Sequence, residues 1–283
     1  MLKSFEIDIK LIFIICLSLL FLGLNSILCK AALVNHDIDA FSFTFFRLLF
    51  ASITLIIIYI IKTKKYIFKI KKNWFTSLML FLYAICFSYS YLGIDAGFGT
   101  LLLFGVVQII MMLSSLFYKI KMSYQKAIGL IISFFGLAYL LFPKDDFEIS
   151  YYYTLLMIIS GVSWAFYTIL GKKSTDSLFN TMDNFVKATI LAILFYLIFV
   201  YDSFTFTNYG LLLAFISGSL TSGIGYVLWY EVLPKIEILT AGIIQLFVPI
   251  ISIFFSVLFL SENLTFDLLL STFLVSLGIV ISL

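Results

Sequence analysis

Apolar residues follow one another in long blocks that short polar connections separate. Blocks such as 53–61 and 250–260 are apolar at nearly every position, whereas the strands of a membrane barrel alternate polar and apolar residues over about ten positions. A helix satisfies its own backbone hydrogen bonds in lipid and needs about 20 residues to cross it. The pattern therefore predicts ten membrane-spanning helices, at residues 11–33, 41–61, 74–93, 98–118, 124–142, 152–171, 184–201, 208–230, 238–260 and 266–283.

The composition fits this prediction. Of the 283 residues, 63% are hydrophobic and 12% are charged, which is half the charge of an ordinary soluble domain. Ten spans of about 20 residues leave fewer than about ten residues for each connection. We therefore expect no soluble catalytic or nucleic-acid-binding domain. A lone histidine and three cysteines inside apolar blocks predict neither a metal site nor a disulfide framework, and we expect no cofactor.

Lysine placement predicts the orientation. With the N-terminus in the cytoplasm, fourteen lysines fall in cytoplasmic segments, and only Lys30 and Lys144 fall outside. Such an excess marks the cytoplasmic side of a membrane protein. The first block follows Lys3 and Lys10 as a signal peptide would, but it is long enough to span and no small-residue cleavage site follows. We predict a protein of the cell (inner) membrane with both termini in the cytoplasm.

The two halves of the chain resemble each other. Glycines, glutamines and bases recur in the same order in both: Gly23–Lys30 with Ala165–Lys172, Arg47 with Lys187, Gly105–Gln108 with Gly242–Gln245, and Gly136 with Gly278. Because five spans are an odd number, the second copy enters the membrane from the opposite side. Such inverted repeats are typical of secondary transporters, whose site lies between the halves. We predict one five-helix repeat at 1–148 and the other at 149–283.

Three motifs carry a family resemblance: Trp164–Lys173 in the sixth span, Val248–Thr265 around the ninth, and Phe46–Arg47 in the second. On these residues the chain resembles the drug/metabolite transporter superfamily, EamA type. The resemblance implies ten helices, cytoplasmic termini and transport of amino acids or other small metabolites, often outward. One departure is Leu22, which stands where the family often has tryptophan.

Arg47 is the first candidate for a substrate-binding residue. A basic side chain near the bilayer centre costs about 2.5–3.5 kcal/mol on insertion scales, so a function is expected for it. Its planar fork can clamp a substrate carboxylate. The alternatives are a side chain that reaches the outer headgroups, or a structural pair with Asp95. For Lys187 we expect a structural role, in which its side chain extends along the helix to the headgroups of the inner face.

Five further residues complete the predicted substrate-binding set. The mid-span amides Asn25, Gln108 and Gln245 either line a cavity or form hydrogen bonds between helices. Trp164 and Tyr91 either form an aromatic wall around the substrate or belong to the interfacial aromatics of the membrane. Glu262 is expected to be a turn acid that caps the last helix. The sequence shows no acid placed deep in a span for proton coupling.

These features favour a secondary transporter that exports small organic metabolites such as amino acids, by alternating access between the two repeats. Its partners are then a small-molecule substrate and the lipid bilayer. An intramembrane enzyme is disfavoured, because a single histidine and an unpaired Asp95 supply no catalytic pair or metal box. A channel or a non-transporting scaffold remains the alternative, and the scattered polar residues of the spans do not predict a lined pore.

Overall fold

The computed structural model describes residues 9–64, 72–117, 123–141, 150–172, 174–200 and 204–282. These residues form helices joined by short connections. The helices are α1 (Ile9–Val34), α2 (Ala40–Thr63), α3 (Phe75–Ser90), α4 (Ala96–Phe117), α5 (Tyr124–Leu141), α6 (Tyr151–Gly171), α7 (Ser177–Phe195), α8 (Asn208–Ile216), α9 (Gly225–Val232), α10 (Ile238–Gln245), α11 (Phe247–Leu260) and α12 (Phe266–Ser282). The predicted boundary between the halves, at residues 148 and 149, lies outside the described residues.

Seven helical stretches of the described residues are long and apolar enough to cross a membrane. They are Ile9–Val34, Ala40–Thr63, Ala96–Ser114, Tyr151–Gly171, Ser177–Val200, Asn208–Lys235 and Ile238–Leu260. Three shorter apolar helices, at Phe75–Ser90, Ala127–Gly136 and Phe266–Gly278, coincide with the remaining predicted spans. The all-helical fold is confirmed. The seventh span begins at Ser177 and not at residue 184, because the polar first turns of α7 are part of the helix.

Hydrogen bonds between connections define the two ends of the bundle. At one end, Asp39 accepts from the backbone and hydroxyl of Thr205, and the Lys30 ammonium donates to the carbonyl of Ile94 over 2.9 Å. We call this the Asp39 end. At the opposite end, which we call the Lys235 end, the Lys172 ammonium donates to the carbonyl of Ile236. The N-termini of α2 and α4 therefore lie together at the Asp39 end.

Helices α5 and α12 contact each other reciprocally. A side chain added at Gly136 would approach Val275 to 3.3 Å, and one added at Gly278 would approach the backbone nitrogen of Ser133 to 3.0 Å. Gly278 and Val275 each lie 142 positions after Gly136 and Ser133. Ser133 also donates to the Val275 carbonyl over 3.4 Å. Gly136 therefore contacts the equivalent of Ser133, and the equivalent of Gly136 contacts Ser133. This exchange of partners is the pattern of a two-fold axis.

A second reciprocal contact joins α2 and α7. The hydroxyls of Ser52 and Thr189, which are 137 positions apart, lie 3.0 Å from each other. The residues that cap the two helices, Asp39 and Asp176, have the same spacing, and each accepts a hydrogen bond from its own first turn. With the same spacing of 137 positions, Asn184 is the residue of the second half that is equivalent to Arg47. The match of Arg47 with Lys187 was therefore wrong by three residues.

The packing also revises the glutamine match. Lys30 binds the carbonyl of Ile94 and Lys172 binds that of Ile236, so these two connections are equivalent. Gln108 comes 14 residues after the first connection, whereas Gln245 comes only nine residues after the second. The two amides are on equivalent spans but differ in register by about one and a half helical turns. The two glutamines were matched because each follows a glycine at a similar place in an apolar span. The two glutamines consequently have different surroundings.

The eighth predicted span departs most from a regular α-helix. Between α8 and α9 the chain forms a π-helix at Ser217–Ile224, rich in serine and glycine. A side chain added at Gly218 would lie 2.8 Å from Cβ of Phe50 on α2, so only a glycine allows the two helices to approach this closely. π-Helical segments are frequently found at functional sites.

Candidate functional site

The Arg47 side chain lies in the middle of the bundle. It is 1% exposed, and its guanidinium is surrounded by side chains of both halves. Its Nε donates to the Ser222 hydroxyl over 2.9 Å, and Nη2 donates to the hydroxyls of Tyr83 and Tyr226 over 3.0 and 3.5 Å. Arg47 neither reaches the headgroups nor pairs with Asp95, so both structural alternatives are wrong in this conformation.

The guanidinium has spare bonding capacity. Its Nη1 is buried without a hydrogen-bond partner, and no carboxylate in the described part of the chain forms a salt bridge with the guanidinium. The aromatic rings of Tyr83 and Phe87 lie 5.3 and 5.1 Å from Cζ, within the range of cation–π attraction. These rings and hydroxyls stabilise the cation only in part. A buried charge without an anion is unfavourable, and a bound anion would remove that cost.

Trp164, one of the predicted site residues, packs on the tyrosines that contact Arg47. Its indole ring lies 4.9 Å from the Tyr83 ring and 5.1 Å from the Tyr226 ring, measured between centroids. The two tyrosines that hold Arg47 therefore pack on one indole. The indole is 1% exposed, so it is an interior residue and not one of the interfacial aromatics.

Gln245 holds that indole in place. Its side-chain oxygen accepts the Trp164 N–H over 2.6 Å, and its amide nitrogen donates to the Ala241 carbonyl over 3.2 Å. Both polar atoms of Gln245 thus have partners inside the protein. Gln245 positions Trp164, and through it the tyrosines around Arg47.

Asn25 lies on the other side of Ser222. Its side-chain oxygen accepts from Ser217 over 2.8 Å, from Thr221, and from Ser222 over 3.4 Å, so it fastens the π-helix to α1. Its amide nitrogen is buried without a partner. Asn25 and Arg47 each present one unpartnered donor, and the Ser222 hydroxyl connects them.

Tyr91 and Gln108, the last two predicted residues, border the cluster. The Tyr91 ring packs edge-on against Phe87 at 4.8 Å, and its hydroxyl lies 3.0 Å from that of Thr100. Gln108 is 4% exposed, and its side-chain oxygen is buried without a partner against the backbone of Gly242. Tyr91 has its hydrogen bond within the protein, whereas Gln108 retains a free acceptor.

A buried ion pair lies toward the Lys235 end. Lys187 is fully buried, and its ammonium donates to Asp183 over 2.7 Å and to the Asn73 carbonyl over 3.0 Å. The expectation that Lys187 snorkels was wrong, because an acid one turn earlier neutralises it inside the bundle. The sequence reading missed Asp183 since it began the span one residue later.

Glu262 also has a different role from the one expected. Its two carboxylate oxygens accept from the backbone nitrogens of Ala96 and Gly97, over 2.6 and 3.1 Å. It therefore caps α4 of the first half and not the last helix. The donors at a helix N-terminus favour such an anion.

The sequence reading did not single out Tyr83, Phe87 or Ser222 for the site. A tyrosine or serine in a span that is rich in both carries no distinguishing signal, and only the packing of α3 and the π-helix against α2 brings these residues to Arg47. Ser222 was noted, but as a small residue for close helix packing. Its contact with Arg47 joins residues 175 positions apart.

An apolar helical bundle whose described residues include seven helices long enough to cross a membrane is that of a multi-pass membrane protein. A family profile described as the EamA-like transporter family matches the chain twice, at residues 9–142 and 152–283. The chain belongs to this family. Membership indicates a membrane transporter and not an enzyme, and two matches agree with two copies of one unit.

Relatives extend over most of the chain. It is 35% identical to an uncharacterized protein of Pseudomonas aeruginosa over 91% of this chain and 88% of that one. It is 26% identical to YoaV, an uncharacterized transporter of Bacillus subtilis, over 86% and 87% of the two chains. A solved crystal structure covers 96% of this chain and 97% of its own, with a TM-score of 0.73 at 14% identity, which shows a shared fold.

Proposed function

We propose that the protein is a secondary carrier of small organic anions, carboxylates above all, and that Arg47 binds the anionic group. One observation carries this proposal: a buried guanidinium between the two halves with an unpartnered N–H. Asn25 contributes a second unpartnered donor beside it. The N–H groups of Nη1 can donate to a carboxylate, and hydrogen bonds between arginine and a carboxylate are charge-assisted and strong.

Alternating access between two inverted five-helix repeats is the proposed mechanism. The reciprocal contacts of Gly136 with Val275 and of Gly278 with Ser133 support a two-fold relation between the halves. Two copies of one unit in opposite senses can exchange roles, which provides two states open to opposite sides. In the present state Arg47 is closed off from both ends, as an intermediate of such a cycle requires and an open channel does not.

The lysine distribution supports ten spans, cytoplasmic termini and a place in the cell (inner) membrane, with the Lys235 end facing the cytoplasm. On this orientation the Asp39 end faces outward. We propose outward transport, which rests on the resemblance to the family and on no contact within the site. Amino acids are among the carboxylates that this site could carry.

Uptake by proteoliposomes tests the role of Arg47. Purified protein is reconstituted, and entry of radiolabelled amino acids, monocarboxylates and dicarboxylates is compared for the wild type, Arg47→Lys and Arg47→Gln. Arg47→Lys keeps the charge but loses the fork, so we expect at least a tenfold loss of transport, and a greater loss for Arg47→Gln. Lys64→Gln, a change at the exposed end of the same helix, is the matched control and should transport normally. Normal transport by Arg47→Lys would overturn the proposal.

A further inference from the structure

A polar cavity of about 760 Å³ opens between the two halves at the Asp39 end. Its volume is within the range of small-molecule sites, which is about 300–1,000 Å³. The partners of Arg47 named above do not line it, so this cavity is separate from the site of the proposed function. The first half contributes Lys30, Asn35 and Asp95 to its walls, and the second half contributes Tyr209, Glu262 and Asn263.

Lys30 has a spare hydrogen-bond donor at the wall of this cavity. Its ammonium donates to the carbonyls of Tyr91 and Ile94 over 3.1 and 2.9 Å. An ammonium has three N–H groups, so one remains after these two bonds. Among the described residues, no carboxylate forms a salt bridge with Lys30. The cavity therefore contains a positive charge that can bind an anionic group.

Asp95 supplies the opposite charge. It directly follows Ile94, whose carbonyl binds Lys30, so the two charged residues line neighbouring parts of one wall. Asp95 is exposed, and its carboxylate forms no hydrogen bond or salt bridge with another described residue. Glu262, the other acid of the lining, has both oxygens bound to the first turn of α4. An ammonium group in the cavity would consequently find a free carboxylate at Asp95.

We propose that this cavity binds a small zwitterion, with the anionic group on Lys30 and the ammonium group on Asp95. Because both halves form the walls, a ligand that contacts Tyr209 or Asn263 as well as Lys30 joins the halves at this end. A ligand stabilises the arrangement for which it has the higher affinity. The second part of the inference, which rests on the proposed function, is that such a ligand slows transport by holding the carrier in the present state.

Matched probes test the site. Binding of β-alanine, propionate and ethylammonium to the purified protein in nanodiscs is measured by saturation-transfer NMR, since each of the last two probes lacks one charge. The Arg47→Gln variant is used, so that no probe binds to the guanidinium. We expect β-alanine to bind about fivefold more tightly than either probe, because an ion pair at an exposed wall adds only modest affinity.

Variants assign this preference to the cavity. Adding Asp95→Asn should remove the preference of β-alanine over propionate. Glu231→Gln, which changes an exposed acid at the Lys235 end, is the matched control and should retain it. Equal binding of the three probes, or a preference that survives Asp95→Asn, would overturn the site. A thermal unfolding curve for each variant separates loss of binding from loss of fold.

The source of the zwitterion is tested by the lipid of the nanodiscs. A phosphatidylethanolamine headgroup carries the same two charges as β-alanine, whereas phosphatidylcholine has no N–H group to donate. Equal β-alanine affinity in discs of either lipid identifies a soluble ligand, and a lower affinity with phosphatidylethanolamine identifies the headgroup. Either result supports a zwitterion site.

Transport by the otherwise wild-type protein tests the second part. β-Alanine on both sides of the membrane should slow carboxylate uptake by proteoliposomes, and Asp95→Asn should relieve this inhibition. Inhibition that Asp95→Asn leaves unchanged would contradict the second part, because β-alanine would then act at Arg47. A wild type that transports no carboxylate would contradict the proposed function, whereas β-alanine binding to Arg47→Gln would still support the site.

Discussion

Trp164 and Gln245 form a hydrogen bond of 2.6 Å between α6 and α10, and this bond fixes the indole on which Tyr83 and Tyr226 pack. The two helices therefore influence Arg47 without touching it. Since an indole has only one N–H, its orientation depends on this single acceptor.

A double-mutant cycle measures this coupling. Gln245→Leu and Trp164→Phe should each destabilise the protein by about 1–3 kcal/mol, because each leaves a partner unsatisfied or a space unfilled. The double variant should be less destabilised than the sum, with a coupling of about 0.5–3 kcal/mol. The free energy of unfolding in mixed micelles provides the measurement. Strict additivity would show that the bond is not a stabilising link.

The buried pair of Lys187 and Asp183 makes a second prediction. Lys187→Met should destabilise the protein by about 3–5 kcal/mol, because it leaves the Asp183 carboxylate buried without its cation. Adding Asp183→Asn should recover part of that loss. Lys235→Met is the matched control: Lys235 and Glu231 are 3.8 Å apart and exposed, so its effect should stay below about 1 kcal/mol. Equal effects of the two lysine variants would contradict the assignment of a buried pair.

The cap that Glu262 provides to α4 can be tested by truncation. Glu262→Ala removes the acceptor of the Ala96 and Gly97 backbone nitrogens, and we expect a loss of about 1–3 kcal/mol in stability. Glu262→Gln keeps an oxygen and should lose less. Glu231→Ala, at an exposed pair, is the control and should be nearly neutral. Amide hydrogen exchange in the first turn of α4 should rise in Glu262→Ala, and an unchanged rate would exclude the cap.

The contact between α5 and α12 predicts different costs for the same substitution at two glycines. Gly278→Ala places a methyl group against Ser133 and the Gly129 carbonyl, so we expect a destabilisation of about 1–3 kcal/mol from overpacking. Gly97→Ala would approach Cγ1 of Ile253 to 3.1 Å, a contact that a shift of a few tenths of an ångström by this side chain relieves, and it gains helix propensity. It should be close to neutral. A similar melting temperature for both variants would contradict the close packing at Gly278.

The apolar blocks predicted most of the helices because lipid requires continuous helical backbone, which leaves a strong signal. The same signal contains no information about the register between equivalent helices of the two halves. Gln108 and Gln245 were matched by letters, whereas the connections bound by Lys30 and Lys172 show that the two are displaced from each other. The break between α10 and α11, which precedes Pro249, was also not predicted.

Site residues whose side chains are unfavourable in lipid could be predicted from the sequence. Site residues of types that are common in the spans could not. Arg47 stood out because a charged side chain in a span needs a reason. Tyr83 and Ser222 did not, since their value comes from contacts with residues far away in the chain. Asp183 was missed for a third reason: its place inside a span depends on where α7 begins.

The burial of Arg47 among partners from both halves has a consequence for biogenesis. Ser222 and Tyr226 follow Arg47 by 175 and 179 residues, so the ribosome synthesises them only after the whole first half. Of the partners of Arg47 named above, only Tyr83 and Phe87 belong to the first half. We therefore expect the first half to be incompletely stabilised until the second half packs against it. Two fragments divided between α5 and α6 and translated from separate messages should accumulate only when they are produced together.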